Sequence, residues 1–313
     1  MSASAVMLIA LVLEALIGWP TWLHARIGHP VTWMGALVTA LDRSLNRDSW
    51  SASTRRAAGL FVVSITVGTT AAVAGLLTAM LPEGSLGTVL AGILAWPLIA
   101  TRSLHMHVGA VVRPLLVGDL PTARRAVAMI VGRDPQRLDQ EGVARAALES
   151  LAENTSDGIT APIFWGLLLG LPGIAAYKAV NTLDSMIGHK TERHSAFGWA
   201  AARIDDLVNL VPARATGLLF AAVSPRPRSA LLCMFRDAKR HRSPNAGWPE
   251  AAMAGALDVR LSGPRSYGTR VTNEPWLNAA APDPSPDDLV RGLSLFRCAI
   301  AAFAVLLALL ALL

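Results

Sequence analysis

Residues 57–81 form an apolar run without a single charge, entered from Arg55 and Arg56, and 298–313 form a second run that is also uncharged. Backbone N–H and C=O groups inside a hydrocarbon layer have no water to bond to, so runs of this length are predicted to fold as membrane helices. Pro82-Glu83-Gly84 turns the first run directly into a third, 86–100, which is closed by Arg102, so both basic ends of this hairpin lie on one side. A further apolar stretch, 3–22, places Trp19 and Trp22 where an interfacial aromatic belt belongs. It lacks a basic leader region and carries Glu14, which predicts a retained first helix rather than a cleaved signal. With 53% apolar and only 16% charged residues, the fold class expected is all-α. More fully, it is a polytopic membrane helical protein with amphipathic and re-entrant helices and cytoplasmic loop regions.

Five segments follow from this pattern. Membrane helices occupy 1–100, a cytoplasmic helical segment 101–158, broken membrane helices with polar motifs 159–223, a cytoplasmic loop region 224–297, and a C-terminal membrane helix 298–313. In the second segment Pro121 and Gly132 bracket one helix, and another is predicted over 139–154. Val143, Ala147 and Leu151 lie on one face of that helix and Arg145, Glu149 and Glu153 on the other, with Arg145 and Glu149 at the spacing of an ordinary surface pair. The oily stretch 158–177 is divided by Pro162 and Leu171-Pro172-Gly173, which favours a re-entrant hairpin or two half-helices over one clean span. Ser-Pro-Arg-Pro-Arg at 224–228 and Ala-Pro-Asp-Pro-Ser-Pro-Asp-Asp at 281–288 read as loops. The net charge of +6 sits in the connecting segments, where it reads as topology signal and anionic-lipid contact. No basic stripe with interleaved aromatics is present, which argues against nucleic acid. Cys233 and Cys298 match no zinc or redox spacing.

Against this apolar background stand two polar clusters, Glu153-Asn154-Thr155-Ser156-Asp157-Gly158 and the run from Tyr177-Lys178 through Asn181 and Asp184 to Met186. Ionisable groups at or near a bilayer mark functional sites by default. Positions 177, 181, 184 and 188 share a helix face, which aims Tyr177, Asn181 and Asp184 into one space. Hard oxygen donors in this arrangement suit Mg²⁺, and Lys178, Lys190, Arg193 and Arg203 lie close enough in sequence to hold phosphate oxygens. The bland alternatives are a satisfied polar seam for Lys178, Asn181 and Asp184, and a helix cap for Asp205-Asp206. Gly188-His189-Lys190-Thr191 lacks the first glycine of a P-loop, His29 reads as structural, and His105 and His107 face different ways on a helix.

These clusters, taken with Gly28-His29-Pro30-Val31, Val131-Gly132-Arg133-Asp134, Ala202-Arg203-Ile204-Asp205-Asp206, Leu210-Val211-Pro212-Ala213-Arg214 and Ser243-Pro244-Asn245-Ala246-Gly247-Trp248-Pro249-Glu250, closely resemble the CobD/CbiB family of cobalamin biosynthesis. The match runs in order along nearly the whole chain. It implies a multi-pass protein of the cell inner membrane with its active site facing the cytoplasm. The implied activity is that of an adenosylcobinamide-phosphate synthase. ATP, as co-substrate with Mg²⁺, drives amide formation between adenosylcobyric acid and (R)-1-aminopropan-2-ol or its phosphate. On this resemblance Glu153, Asp157, Asp184 and Asp206 serve the metal and nucleotide phosphates. Lys178, Arg193 and Arg203 neutralise phosphoryl charge, Asn181 and Asn245 orient substrate amides, and Asp205 or Glu250 accepts the amine proton. The implied partners, besides the substrates and the lipid bilayer, are a second copy of the chain or other membrane enzymes of the corrinoid pathway. Many members carry Gly-Asp-Pro near the first helix where this chain has Gly18-Trp19-Pro20, so no acidic role falls at position 19. An AmpE-like membrane sensor and a transporter using the broken segment as a midplane site are the competing classes.

Overall fold

A computed structural model of the chain describes residues 1–132, 135–267 and 270–313, the side chains of 265–267 and 270–272 excepted. Arg133 and Asp134 of the fourth motif therefore lie outside the described residues. The chain is helical nearly throughout. It opens with α1 (Ala3–Ile17), a short α2 (Thr21–Ile27) and α3 (Pro30–Leu45), and the first helix meets the following pair at a bend of 110°. Ser51 caps α4 (Ala52–Ala79), and the turn at 80–84 leads into α5 (Ser85–Ala95). Next come α6 (Thr101–Leu116), α7 (Leu120–Val127) and α8 (Gln140–Thr155), the last capped by Asp139, whose carboxylate accepts the Gly142 N–H at 2.7 Å. The central α9 (Ala161–Ile187) is followed by α10 (Trp199–Val208), α11 (Leu210–Val223), α12 (Pro227–Asp237) and α13 (Gly247–Leu257). Two small antiparallel pairs, β1 (Leu261–Ser262) with β4 (Trp276–Leu277) and β2 (Arg265–Tyr267) with β3 (Arg270–Thr272), precede α14 (Pro286–Leu312).

By length and composition alone, four helical runs among the described residues can cross a membrane, or six if each bent pair is one span. The protein is an all-α, polytopic membrane protein. The segment 158–177 is broken, as its Pro and Gly residues suggest. Gly170 adopts φ 65° and ψ −152°, a conformation that a residue with a Cβ rarely takes, and it divides α9 into two half-helices.

Three sequence expectations change. The helix bracketed by Pro121 and Gly132 stops at Val127, and the Ile130 carbonyl beyond it is held by the Ser150 hydroxyl at 2.8 Å. The region 224–297, read as loop, contains α12, α13 and the four strands. Finally, α14 begins at Pro286 rather than at 298: proline suits the first helical turn, and Ser285 and Asp288 exchange bonds there, Ser285 N–H to Asp288 Oδ2 at 2.9 Å and Asp288 N–H to Ser285 Oγ at 3.3 Å.

The helices form two compact units. The first comprises Met1–Ala100, Ala161–Asn209 and Leu307–Leu313. Its buried core joins Val38 of α3, Val62 and Val63 of α4, Leu183 and Ile187 of α9, Phe197, and Ala200 and Ala201 of α10. The second comprises Thr101–Thr160 and Leu210–Leu306, where α13 is buried at every position and α8 at most. There Arg145 and Arg260 converge on Asp283, Arg145 at 2.8 Å, and both guanidinium groups lie over the Trp276 ring. Arg145 thus reaches across the unit to Asp283, while the Glu149 carboxylate accepts the Ser262 N–H at 2.8 Å.

Candidate functional site

In the first unit, the second half of α9 sends Tyr177, Val180, Leu183 and Ile187 into the interior and leaves Lys178, Asn181 and Asp184 half-buried. Successive three-residue steps put these last three on one stripe of the helix. The sequence placed Tyr177 in that stripe; the structure turns the face by one position because Leu183 and Ile187 are claimed by the core. Asp184 is within electrostatic reach of Asp206, Arg203 and His189, and Lys178 is within reach of His29. Arg203 pairs with Asp206 at 3.0 Å. Gly188 closes against this site, since a methyl group added there would run into the Asp184 carboxylate and its backbone carbonyl.

Arg193 has a defined partner. Its guanidinium donates to Asp42 at 2.9 Å, and the same carboxylate accepts from Asn46 at 2.8 Å and faces His194 at 3.3 Å. Arg55 bonds the Asn46 side chain at 2.9 Å and the Arg193 carbonyl, so the group ties the segment after α9 to α3 and α4. Arg193 is thereby a clamp residue first, and Lys178 and Arg203 are the cations nearer the acidic stripe.

Asp205 and Asp206 lie in the last turn of α10, so N-capping is not their role. Asn209 Nδ2 donates to Asp205 Oδ2 at 3.1 Å, and the Tyr177 hydroxyl donates to Asn209 Oδ1 at 2.9 Å. Trp165, in the first half of α9, donates its indole N–H to the Val208 carbonyl at 3.0 Å. Neither Tyr177 nor Trp165 is near Asn209 in sequence, so no spacing rule finds this arrangement.

The second unit holds the other four candidates. Glu153 is exposed at the end of α8 and Asp157 is half-buried in Ser156–Thr160, which is one turn of π-helix. Turns of this kind often occur at functional sites. The Ser156 and Thr160 hydroxyls are buried there with no hydrogen-bond partner among the described residues. Glu250 is only 1% exposed, and its carboxylate lies 3.7 Å from His241 Nε2. His241 Nδ1 accepts the Ser243 N–H at 3.1 Å, so the proton of a neutral ring sits on Nε2, facing Glu250. Asn245 is buried in the turn that starts α13, where the Ser243 hydroxyl accepts the N–H groups of Asn245 and Ala246 at 3.2 and 3.1 Å. Among the described residues no three His, Cys, Asp or Glu side chains gather as a metal site. Asp184 and Asp206 do lie within electrostatic reach of each other, and Mg²⁺ is an ion that takes as few as one or two protein carboxylates, completing its shell with water and phosphate oxygens.

A family model described as CobD/Cbib protein matches residues 7–296. The chain belongs to the CobD/CbiB family. Among similar proteins, a cobalamin biosynthesis protein CobD of Rhodobacter capsulatus is 60% identical over 100% of this chain and 99% of its own length. One of Brucella suis biovar 1 is 48% identical over 88% of this chain and 86% of its own. A third, from a Sinorhizobium species, is 44% identical over 96% of both. No solved structure matches the chain. Trp19 has a packing role. Its indole N–H donates to the Gly28 carbonyl at 3.1 Å and its ring meets His29 edge-on at 5.0 Å. His29 in turn caps α3 by accepting the Val31 N–H at 3.2 Å. Trp19 also joins Trp33, Trp96 and Val73 around an apolar cavity of about 580 Å³ in the first unit.

Proposed function

We propose that the protein is an adenosylcobinamide-phosphate synthase of cobalamin biosynthesis, an ATP-dependent ligase acting in the inner membrane from its cytoplasmic side. It joins a propionate carboxylate of adenosylcobyric acid to the amine of (R)-1-aminopropan-2-ol or its phosphate. The observation that carries this reading is membership of the family across the length of the chain, with Lys178, Asn181 and Asp184 on one half-open stripe beside Arg203 and Asp206.

A carboxylate is a poor electrophile. Attack of its oxygen on the γ-phosphorus of ATP makes an acyl phosphate and releases ADP; the amine nitrogen then attacks the acyl carbon, phosphate departs, and the nitrogen sheds a proton. Lys178 and Arg203 offset the charge that spreads over the transferring phosphoryl oxygens. Asp184 and Asp206 would hold Mg²⁺, which would supply positive charge against the nucleotide phosphates. Asn181 orients a substrate amide. Asp205 takes the proton in this scheme, on a carboxylate whose Oδ2 is oriented by Asn209, while Glu250, 1% exposed beside His241, is given a packing role in the second unit.

The test is an assay of the purified protein with adenosylcobyric acid, Mg·ATP and each candidate amine, together with complementation of a strain lacking the synthase. Amide product and restored cobinamide synthesis are expected. Complementation failure with no amide from any amine rejects the ligase in favour of a sensor or transporter.

A further inference from the structure

The bonds around the end of α10 extend that reading, on which they rest, to two residues outside the assigned machinery. Asn209 is 1% exposed and Tyr177 is 3% exposed, so the bonds between them are shielded from water. An amide has one acceptor oxygen and one donor nitrogen, and here the orientation is determined by its neighbours. Nδ2 faces two acceptors, Asp205 Oδ2 at 3.1 Å and the Asp205 carbonyl at 3.2 Å, while Oδ1 faces the Tyr177 hydroxyl at 2.9 Å. Turning the amide over would set its oxygen against the carboxylate. The hydroxyl therefore fixes the amide and the amide fixes the carboxylate. The two half-helices of α9 share the task of holding this turn, Trp165 before the break at Gly170 and Tyr177 after it.

We propose that Tyr177 and Asn209 are positioning residues for Asp205, holding its carboxylate in the rotamer that receives the proton of the attacking amine. A misplaced base costs rate more than substrate affinity, because the proton moves only once the nitrogen has begun to bond. A role confined to packing predicts the opposite, a loss of folded protein with unchanged turnover in the molecules that remain.

The experiment measures kcat and KM for amide formation by the full-length protein and its Tyr177→Phe, Asn209→Ala, Asp205→Asn and Tyr177→Phe/Asn209→Ala variants, each normalised to folded protein. Tyr177→Phe should lower kcat about tenfold and Asn209→Ala by more, with each KM within about twofold of wild type. Because Tyr177 acts through Asn209, the double variant should be no slower than Asn209→Ala alone. Should Asn209→Ala fail to accumulate in membranes, Tyr177→Phe, which removes one oxygen, decides alone by its kcat. Wild-type kcat in Tyr177→Phe, or fully multiplicative losses in the double variant, overturns the proposal if Asp205→Asn is inactive. Full activity in Asp205→Asn instead removes the proton-accepting role of Asp205 and leaves the ligase reading standing.

Discussion

The second half of α9 and the whole of α13 are both apolar helices that carry an acid within a dense motif, yet their acids live in different surroundings. On α9, Asp184 shares a half-buried stripe with Lys178 and Asn181, and charged groups from α10 and the segment after α9 lie within its reach. On α13 every residue is buried, and Glu250 is sealed beside His241. Removing a carboxylate from water costs several kcal/mol unless a partner compensates, so an acid closed in on all sides is spent on its partner. An acid on an open stripe keeps its charge available for a ligand. On the proposed function, the contrast makes Asp184 the place to test chemistry and Glu250 the place to test cohesion.

The largest expected effect is on Asp184. Asp184→Asn should lower amide formation by about 10²- to 10³-fold with near-normal membrane insertion. Glu250→Gln should instead keep turnover per folded molecule within about threefold and lower the melting temperature, by altering the buried contact with His241. The reverse pattern in the two variants would break the contrast. A smaller effect is expected from two glycines, Gly188 directly after α9 and Gly255 on α13. A Cβ on Gly188 displaces the Asp184 carboxylate, so Gly188→Ala should reduce rate about tenfold or more. A Cβ on Gly255 meets the Ser229 carbonyl and the Cys233 side chain, so Gly255→Ala should cost about 1–3 kcal/mol of stability and leave turnover per folded molecule unchanged.

How much of this was legible beforehand depended on whether a feature was local. The apolar runs and the break in α9 were readable, because length, proline and glycine act where they stand. The helix α13 was not: its Ala and Gly residues are buried on all sides, so it has no amphipathic period to detect. The start of α14 was hidden among prolines read as loop, although Pro286 and the Ser285–Asp288 exchange form an ordinary helix entry. Within the site, the acids and amides stood out in the sequence. Their partners did not, since Arg193 is committed to Asp42 and Tyr177 to Asn209 by tertiary packing that residue spacing does not encode.

Smaller effects sharpen the picture of the second unit. The hydrogen bond from Arg260, with Arg145 adding its charge against the opposing effect of burial, holds the Asp283 carboxyl below its ordinary value of 3.8. The resulting stabilisation is complete above that value and is lost as pH falls below it, through the depressed pKa of the folded state. Asp283→Asn should therefore flatten the acid limb of a stability-versus-pH curve, an effect of about 1 kcal/mol at most for so partly exposed a group. The smallest effect expected is no reaction at all. Burial, then the nearby Asp237, pushes the Cys233 thiol up to about 12, so Cys233 should resist impermeant thiol reagents from either side of the membrane. Arg228→Cys in a Cys298→Ser background offers an exposed thiol instead, and it should label in inverted vesicles and not in intact cells. Labelling in intact cells would reverse the proposed orientation.

The central claim is that the half-open stripe on α9 serves phosphoryl transfer to a carboxylate, and the nucleotide product tests it most directly. In wild type and Glu250→Gln, ADP and inorganic phosphate should appear in step with amide, only with Mg²⁺ present, and Asp184→Asn should abolish all three products together. Stoichiometric AMP and pyrophosphate, or undiminished ADP and amide from Asp184→Asn, would contradict it.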